Sequence, residues 1–123
     1  MNALAVSVGA ALGALARWQA GVMFNARWVG GFPLGTLLVN LVGGLLIGMA
    51  LEWFGRLPNE LLKLLLVTGF LGGLTTFSAF SGESLSMLRE GNFGLALAHT
   101  AAHVLGALAA AACGMRLVQF LLD

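Results

Sequence analysis

Between Gly69 and Phe80 the chain reads Gly-Phe-Leu-Gly-Gly-Leu-Thr-Thr-Phe-Ser-Ala-Phe, which sets paired glycines and three hydroxyl residues in the middle of an otherwise apolar run. Gly72 and Gly73 have low helix propensity, so a helix can open there, and the hydroxyls of Thr75, Thr76 and Ser78 can bond the backbone groups it frees. Opened backbone at that depth has two chemistries. Its carbonyls suit a hard cation, whereas amide and hydroxyl donors suit an anion. A simple kink with satisfied hydroxyls would need neither, and these residues alone leave the two readings open. Asn40, in the preceding run, carries two N–H donors and a carbonyl; it can replace part of a small anion's hydration shell or join two helices.

His99 and His103 stand four residues apart on one helix face, a spacing that suits two metal ligands or, across a dimer, haem. No third ligand stands out in the sequence, so polar helix packing is the simpler expectation, with His103 the deeper of the two and the better placed to line a pore. Arg17 lies inside an apolar run where an uncompensated charge costs about 2.5 to 3.5 kcal/mol, which predicts that it reaches the interface or a water-filled vestibule. Glu83 would repel an anion at close range and is placed in the wet vestibule or in a hydrogen bond to the third helix. Phe77 and Phe80, taken by themselves, read as lipid or core packing. No serine, cysteine or carboxylate has a matching base, so an enzyme is not expected.

These residues need elements to hold them in a membrane. Of 123 residues, 59% are hydrophobic and 9% charged, and the mean hydropathy is +0.96; soluble domains carry roughly 25% charged residues. The composition predicts an all-α integral membrane protein, a single domain over 1–123 with four spans at about 4–24, 34–54, 61–88 and 93–122. The apolar run beginning at Ala3 is too long for a removable targeting segment, so the first helix is expected to stay in place. Pro33 and Pro58 both fall in the separators. Gly9 with Gly13, Gly44 with Gly48 and Gly69 with Gly73 recur at four-residue spacing, which lets helix backbones approach closely. Cys113, the one cysteine, reads as small packing filler in an Ala-rich stretch. The net charge of +1 is spread along the chain, which argues against nucleic acid as a partner. With the N-terminus on one side, Arg56, Lys63 and Arg116 gather near it and Arg17, Arg27 and Arg89 near the other. An even split predicts insertion both ways up, and inverted copies could then close into a two-fold dimer.

Several motifs also agree, in order, with one family. Gly13-x-x-x-Arg17-Trp18 is followed by Gly35-Thr36-Leu37 leading to Asn40 and Gly43-Gly44. Then come Gly69-x-x-Gly72-Gly73-Leu74-Thr75-Thr76-Phe77-Ser78-x-Phe80 with Glu83, and Gly91-Asn92-Phe93. Over essentially the whole chain the sequence resembles the Fluc (CrcB) family of fluoride channels. That resemblance implies an antiparallel, dual-topology homodimer in the lipid bilayer of a bacterial inner membrane, passively exporting cytoplasmic fluoride through two pores. It also implies a structural sodium ion near the dimer centre, held by the backbone carbonyls of Gly72 and Thr75 from both chains. By the same likeness Phe77 and Phe80 line the pores, with Asn40, Ser78 and Thr76 as donors, and Arg17, Glu83 and His103 in the vestibule or in support. Ala107, one turn beyond His103, and the lack of any tyrosine leave this chain without the hydroxyl track the family often carries on its fourth helix. The rival of another class is a small dual-topology drug or cation exporter, which needs a membrane-embedded carboxylate for coupling; Glu52, Glu60, Glu83 and Glu90 all lie toward span ends or turns.

Overall fold

The computed structural model describes residues 1–25 and 32–123; Arg27, one of the cations of the expected charge split, lies outside the described residues. Among the described residues, four helices are long and apolar enough to cross a bilayer: Asn2–Phe24, Leu34–Arg56, Glu60–Arg89 and Phe93–Leu122. The chain is a multi-pass, all-α membrane protein, and each span ends within two residues of the limits drawn from hydropathy. Short turns join the later helices. Asn59 caps the third span by accepting the Leu62 N–H at 3.0 Å, and Gly91, at φ +79°, closes its far end in a left-handed conformation that favours glycine.

Few large side chains are buried within one chain; Val39, Leu71 and Leu74 form the core cluster. Backbone contact supplies much of the rest. The first helix runs along the first half of the third span, and the second helix along the last. A Cβ on Gly13 would strike the carbonyl oxygen of Phe70, and one on Gly73 that of Ala10. Across the other pair, Cβ atoms on Gly44 and Gly48 would run into the carbonyls of Ala107 and Ala111. The four-residue glycine spacing thus serves close packing, as expected in a membrane. Cys113 departs from its expected role as packing filler: it is exposed, because its neighbour Gly114 takes the inward position, facing the Leu45 carbonyl, and the next residue along a helix turns about 100° away.

The third span is discontinuous, as the sequence predicts, but the opening falls after the glycines. Gly72–Leu74 is still a helical turn. Thr75 (φ −84°, ψ 155°) and Thr76 (φ −149°, ψ 117°) are extended, and a new helix runs over Phe77–Arg89. The reason lies in neighbours as much as propensity. Gly73 spends its missing side chain on the approach to Ala10, while the β-branched threonines take readily to extended backbone. Upstream, Leu64–Leu71 winds as a π-helix, a feature that hydropathy does not signal.

At the end of the bundle shared by the second and last helices, Arg56 Nε and Nη1 donate to Glu52 and Asp123, each at 2.6 Å, and Gln119 Nε2 donates to Glu52 at 3.2 Å. The guanidinium holds the Asp123 carboxyl below the usual carboxylate range.

Candidate functional site

A helix that opens inside a membrane must find partners for its freed backbone groups. Asn40 supplies them at Thr76. Its Oδ1 accepts the Thr76 N–H at 2.8 Å and its Nδ2 donates to the Thr76 carbonyl at 3.0 Å, so one side-chain amide pairs with both polar groups of a single residue. The second proton of Nδ2 meets His103 Nδ1 at 3.0 Å. Asn40 thereby performs the helix-to-helix bonding that an intramembrane asparagine allows, with both of its donors engaged.

Other freed groups are met locally. Arg17 Nε donates to the Gly73 carbonyl at 3.1 Å, bringing positive charge to the negative end of a helical half-span. The guanidinium therefore bonds the break itself, while Arg17 also lines a cavity of about 370 Å³ with Asn25, Thr36, Thr76 and Glu83. Thr75 Oγ1 donates to the Leu71 carbonyl at 2.8 Å, and its methyl occupies the space left by Gly43. Thr76 Oγ1 accepts the Ala79 N–H at 3.1 Å, capping the restarted helix, and lies 3.2 Å from Ser78 Oγ.

Behind the break sits a polar cluster that joins three spans. Glu83 accepts the Thr36 hydroxyl at Oε2 (2.6 Å) and meets His99 Nε2 at Oε1 (3.0 Å). Its partners belong to the second and last helices, so Glu83 ties the third span outward rather than bonding within it. His99 is fully buried, and its Nδ1 lies 2.8 Å from Ser84 Oγ, which in turn lies 3.1 Å from Thr100 Oγ1. Thr36 is completed by Asn25, whose Nδ2 reaches its hydroxyl at 3.4 Å and whose Oδ1 accepts its N–H at 3.1 Å. Ligand atoms of Glu83, His99 and His103 fall within 4.8 Å of one another. The third neighbour that the histidine spacing did not disclose is therefore a carboxylate from another span.

Aromatic rings complete the wall. Phe80 stacks on His103 (centroids 4.6 Å apart) and on His99 (5.6 Å), and Phe77 meets it edge-on at 5.4 Å. The two phenyls touch, as their spacing allows, yet differ sharply in environment: Phe80 is 8% exposed and Phe77 78%. An open cavity of about 490 Å³ brings together Asn40, Gly72, Thr75, Thr76, Phe77, Phe80, His103 and Ala107. Glycine gaps, an opened backbone, an amide clamp and a phenyl wall thus converge on one feature.

The pattern that defines the family described as CrcB-like protein, Camphor Resistance (CrcB), matches residues 4–115. The chain belongs to the CrcB family. Among its relatives, a protein of Variovorax paradoxus is 53% identical over 121 residues, covering 96% of this chain and 94% of its own. One of Bordetella petrii is 50% identical over 117 residues (94% and 89%), and one of Pseudomonas aeruginosa 46% identical over 121 residues (97% and 94%). Each of these CrcB relatives is named a fluoride-specific ion channel, FluC.

Within this CrcB chain, sequence reasoning missed Asn25, Ser84 and Thr100 and noted Thr36 only as part of a motif. The available signal was simple: each is a hydrogen-bonding side chain near or inside an apolar run, where a partner is obligatory. Glu83→Leu leaves the fully buried His99 Nε2 and the Thr36 hydroxyl without their acceptor. Removing one member of such a pair costs about 3 kcal/mol or more, so thermal unfolding in detergent is expected to shift down by several degrees, and an unchanged midpoint would contradict the network.

Proposed function

We propose that this chain forms a fluoride-selective, passive anion channel in a bacterial inner membrane. The observation that carries the reading is the opened third span at Thr75 and Thr76. It provides polar backbone and side chains at membrane depth beside phenyl rings, in a chain whose full-length relatives are named fluoride-specific channels. A small anion parts from water reluctantly, and the hydroxyls of Thr76 and Ser78 substitute for part of that shell, while Asn40, its N–H groups held by Thr76 and His103, keeps the opened backbone in place beside the route. The edges of Phe77 and Phe80 carry positive potential and attract the ion weakly while keeping bulk water out. Arg17 adds positive charge at the approach, and Glu83, engaged by Thr36 and His99, stands behind the route.

The working unit is an antiparallel homodimer with two pores. Support comes from the exposure of Phe77 and Gly72 on one chain, surfaces that a second copy would cover, and from the balanced charges of the sequence. Carbonyls of Gly72 and Thr75, at the end of the helical turn before the break, are hard oxygen donors that fit a sodium ion. When bound, sodium supplies a fixed positive charge joining the two third spans.

Hydrogen fluoride enters cells as the neutral acid and ionises inside, so a passive pore suffices for export. A potential of 100 mV, negative inside, drives the anion outward with about 2.3 kcal/mol per charge. Proteoliposomes loaded with fluoride are expected to release it electrogenically, measured with a fluoride electrode, and to retain chloride. Chloride flux of equal size would overturn the selectivity. Phe80→Ile removes the ring from the wall and is expected to cut fluoride release at least tenfold, whereas a variant as fast as wild type would take Phe80 out of the pore.

A further inference from the structure

His99 and His103 share one face of the last helix, and the fold brings them a carboxylate: one ligand atom each of Glu83, His99 and His103 lies within 4.8 Å of the others. Their outer partners suit a second role. Glu83 turns Oε1 to His99 Nε2 at 3.0 Å, while its Oε2 accepts the Thr36 hydroxyl at 2.6 Å. Behind His99, Nδ1 lies 2.8 Å from Ser84 Oγ, itself 3.1 Å from Thr100 Oγ1. A hydroxyl donates or accepts by rotating, so the His99 proton can move from Nε2 to Nδ1, baring Nε2, with Ser84 accepting it and turning its own proton to Thr100. Metal-bound histidines almost always give their second N–H to such a partner. His103 adds an independent mark. It is 4% exposed, and its Nε2 is buried with no hydrogen-bond partner among the described residues. Polar helix packing accounts for Glu83 and His99 but supplies nothing to this nitrogen, and an unmet polar atom at membrane depth is costly.

We infer that Glu83, His99 and His103 form a binding site for a borderline divalent ion of the zinc class, held by one carboxylate oxygen and two imidazole Nε2 atoms. Two imidazoles with one carboxylate leave a fourth tetrahedral position open, and nitrogen ligands favour zinc over magnesium or calcium. A tetrahedral ion holds its ligand atoms about 3.3 Å apart. Glu83 and His99 already stand at that spacing; His103 must close by turning its ring. The turn has a second effect. Metal at Nε2 puts the ring proton on Nδ1, and Asn40 Nδ2, 3.0 Å away, is also a donor. Binding therefore parts His103 from Asn40, which keeps its two bonds to Thr76. Both rings stay neutral throughout. Glu83 lines the cavity of about 370 Å³ and His103 the open one of about 490 Å³, so the site lies between two approaches.

Zinc chloride titrated into the full chain in detergent is expected to bind at one ion per chain by calorimetry, with magnesium chloride silent. In wild type labelled with ¹⁵N-histidine, zinc is expected to move the Nε2 resonances of both histidines and to leave both Nδ1 atoms protonated. Glu83→Gln and His103→Leu are each expected to weaken binding about tenfold or more. Asn40→Asp is expected to tighten it by about tenfold to a hundredfold, because an acceptor then faces His103 Nδ1–H and completes a carboxylate–histidine–zinc arrangement. A wild type without a saturable zinc site, a spectrum in which either histidine ignores zinc, or unchanged affinity in His103→Leu would overturn the site; the wild-type spectrum decides even where a variant folds badly. One consequence rests on the reading of the chain as a fluoride pore. His103 stacks on Phe80, so turning its ring disturbs the phenyl wall, and saturating zinc is expected to slow fluoride release from liposomes about tenfold. Release indifferent to bound zinc would overturn that block. Zinc binding in a chain that releases no fluoride even without the metal would defeat the pore and support the site.

Discussion

Asn40→Leu is expected to abolish fluoride conduction and to destabilise the fold by about 3 kcal/mol or more. Leucine keeps asparagine's branched skeleton of side-chain heavy atoms, so the substitution removes polarity while largely keeping shape. It strands the Thr76 N–H and C=O, which the amide holds at 2.8 and 3.0 Å, and takes the donor from His103 Nδ1. Each buried polar group left unmet costs about 1 to 3 kcal/mol, and water cannot readily replace the amide beside Phe80. Asn40→Asp keeps an acceptor for the Thr76 N–H but loses the donors to the Thr76 carbonyl and His103 and sets negative charge beside the route, so fluoride flux falls while part of the stability remains. Fluoride release from liposomes and thermal unfolding followed by tryptophan fluorescence read the two effects. A leucine variant that conducts and melts like wild type would mean that the break is held by something other than Asn40.

Gly13→Leu is expected to abolish the folded species. The position faces the Phe70 carbonyl and the Leu74 amide nitrogen across the helix pair, and backbone has no rotamer with which to move aside. Overpacking a tight core costs about 1 to 3 kcal/mol and sometimes more; here the neighbour that must shift is the half-span leading into the break. Size-exclusion chromatography in detergent should show loss of the monodisperse peak. Gly82→Ala is the contrast: nothing lies within 4 Å of a Cβ there, so the change is expected to be neutral or to stabilise by about 0.5 to 1 kcal/mol through helix propensity. Equal behaviour of the two variants would contradict the backbone-contact description of this fold.

The four spans were legible because a long apolar run has one common solution in a bilayer, and turn residues punctuate the runs clearly. Glycine spacing disclosed the packing faces for a similar reason: only a missing side chain permits the approach of Gly9 and Gly13 to the third span. The break was legible in kind and displaced in place. Propensity pointed to Gly72 and Gly73, whereas contact with the first helix holds them helical and passes the opening to Thr75 and Thr76. Pairings across spans were not legible at all. Asn40 with Thr76, Arg17 with Gly73, and Glu83 with Thr36 and His99 are separated by between 16 and 56 residues, and hydropathy carries no information about which polar side chains meet.

The helices differ in length in a way that bears on the lipid around them. At 1.5 Å per residue the first two, of 23 residues each, measure about 34 Å and match a hydrocarbon layer roughly 30 Å thick. The last has 30 residues and measures about 45 Å; it must lean or protrude, by an amount that thickness sets. It is also the helix that carries both imidazoles to Glu83 and Asn40. Thinner or thicker lipid would change its tilt and so pull on those contacts, making the host membrane a mechanical influence on the ion route.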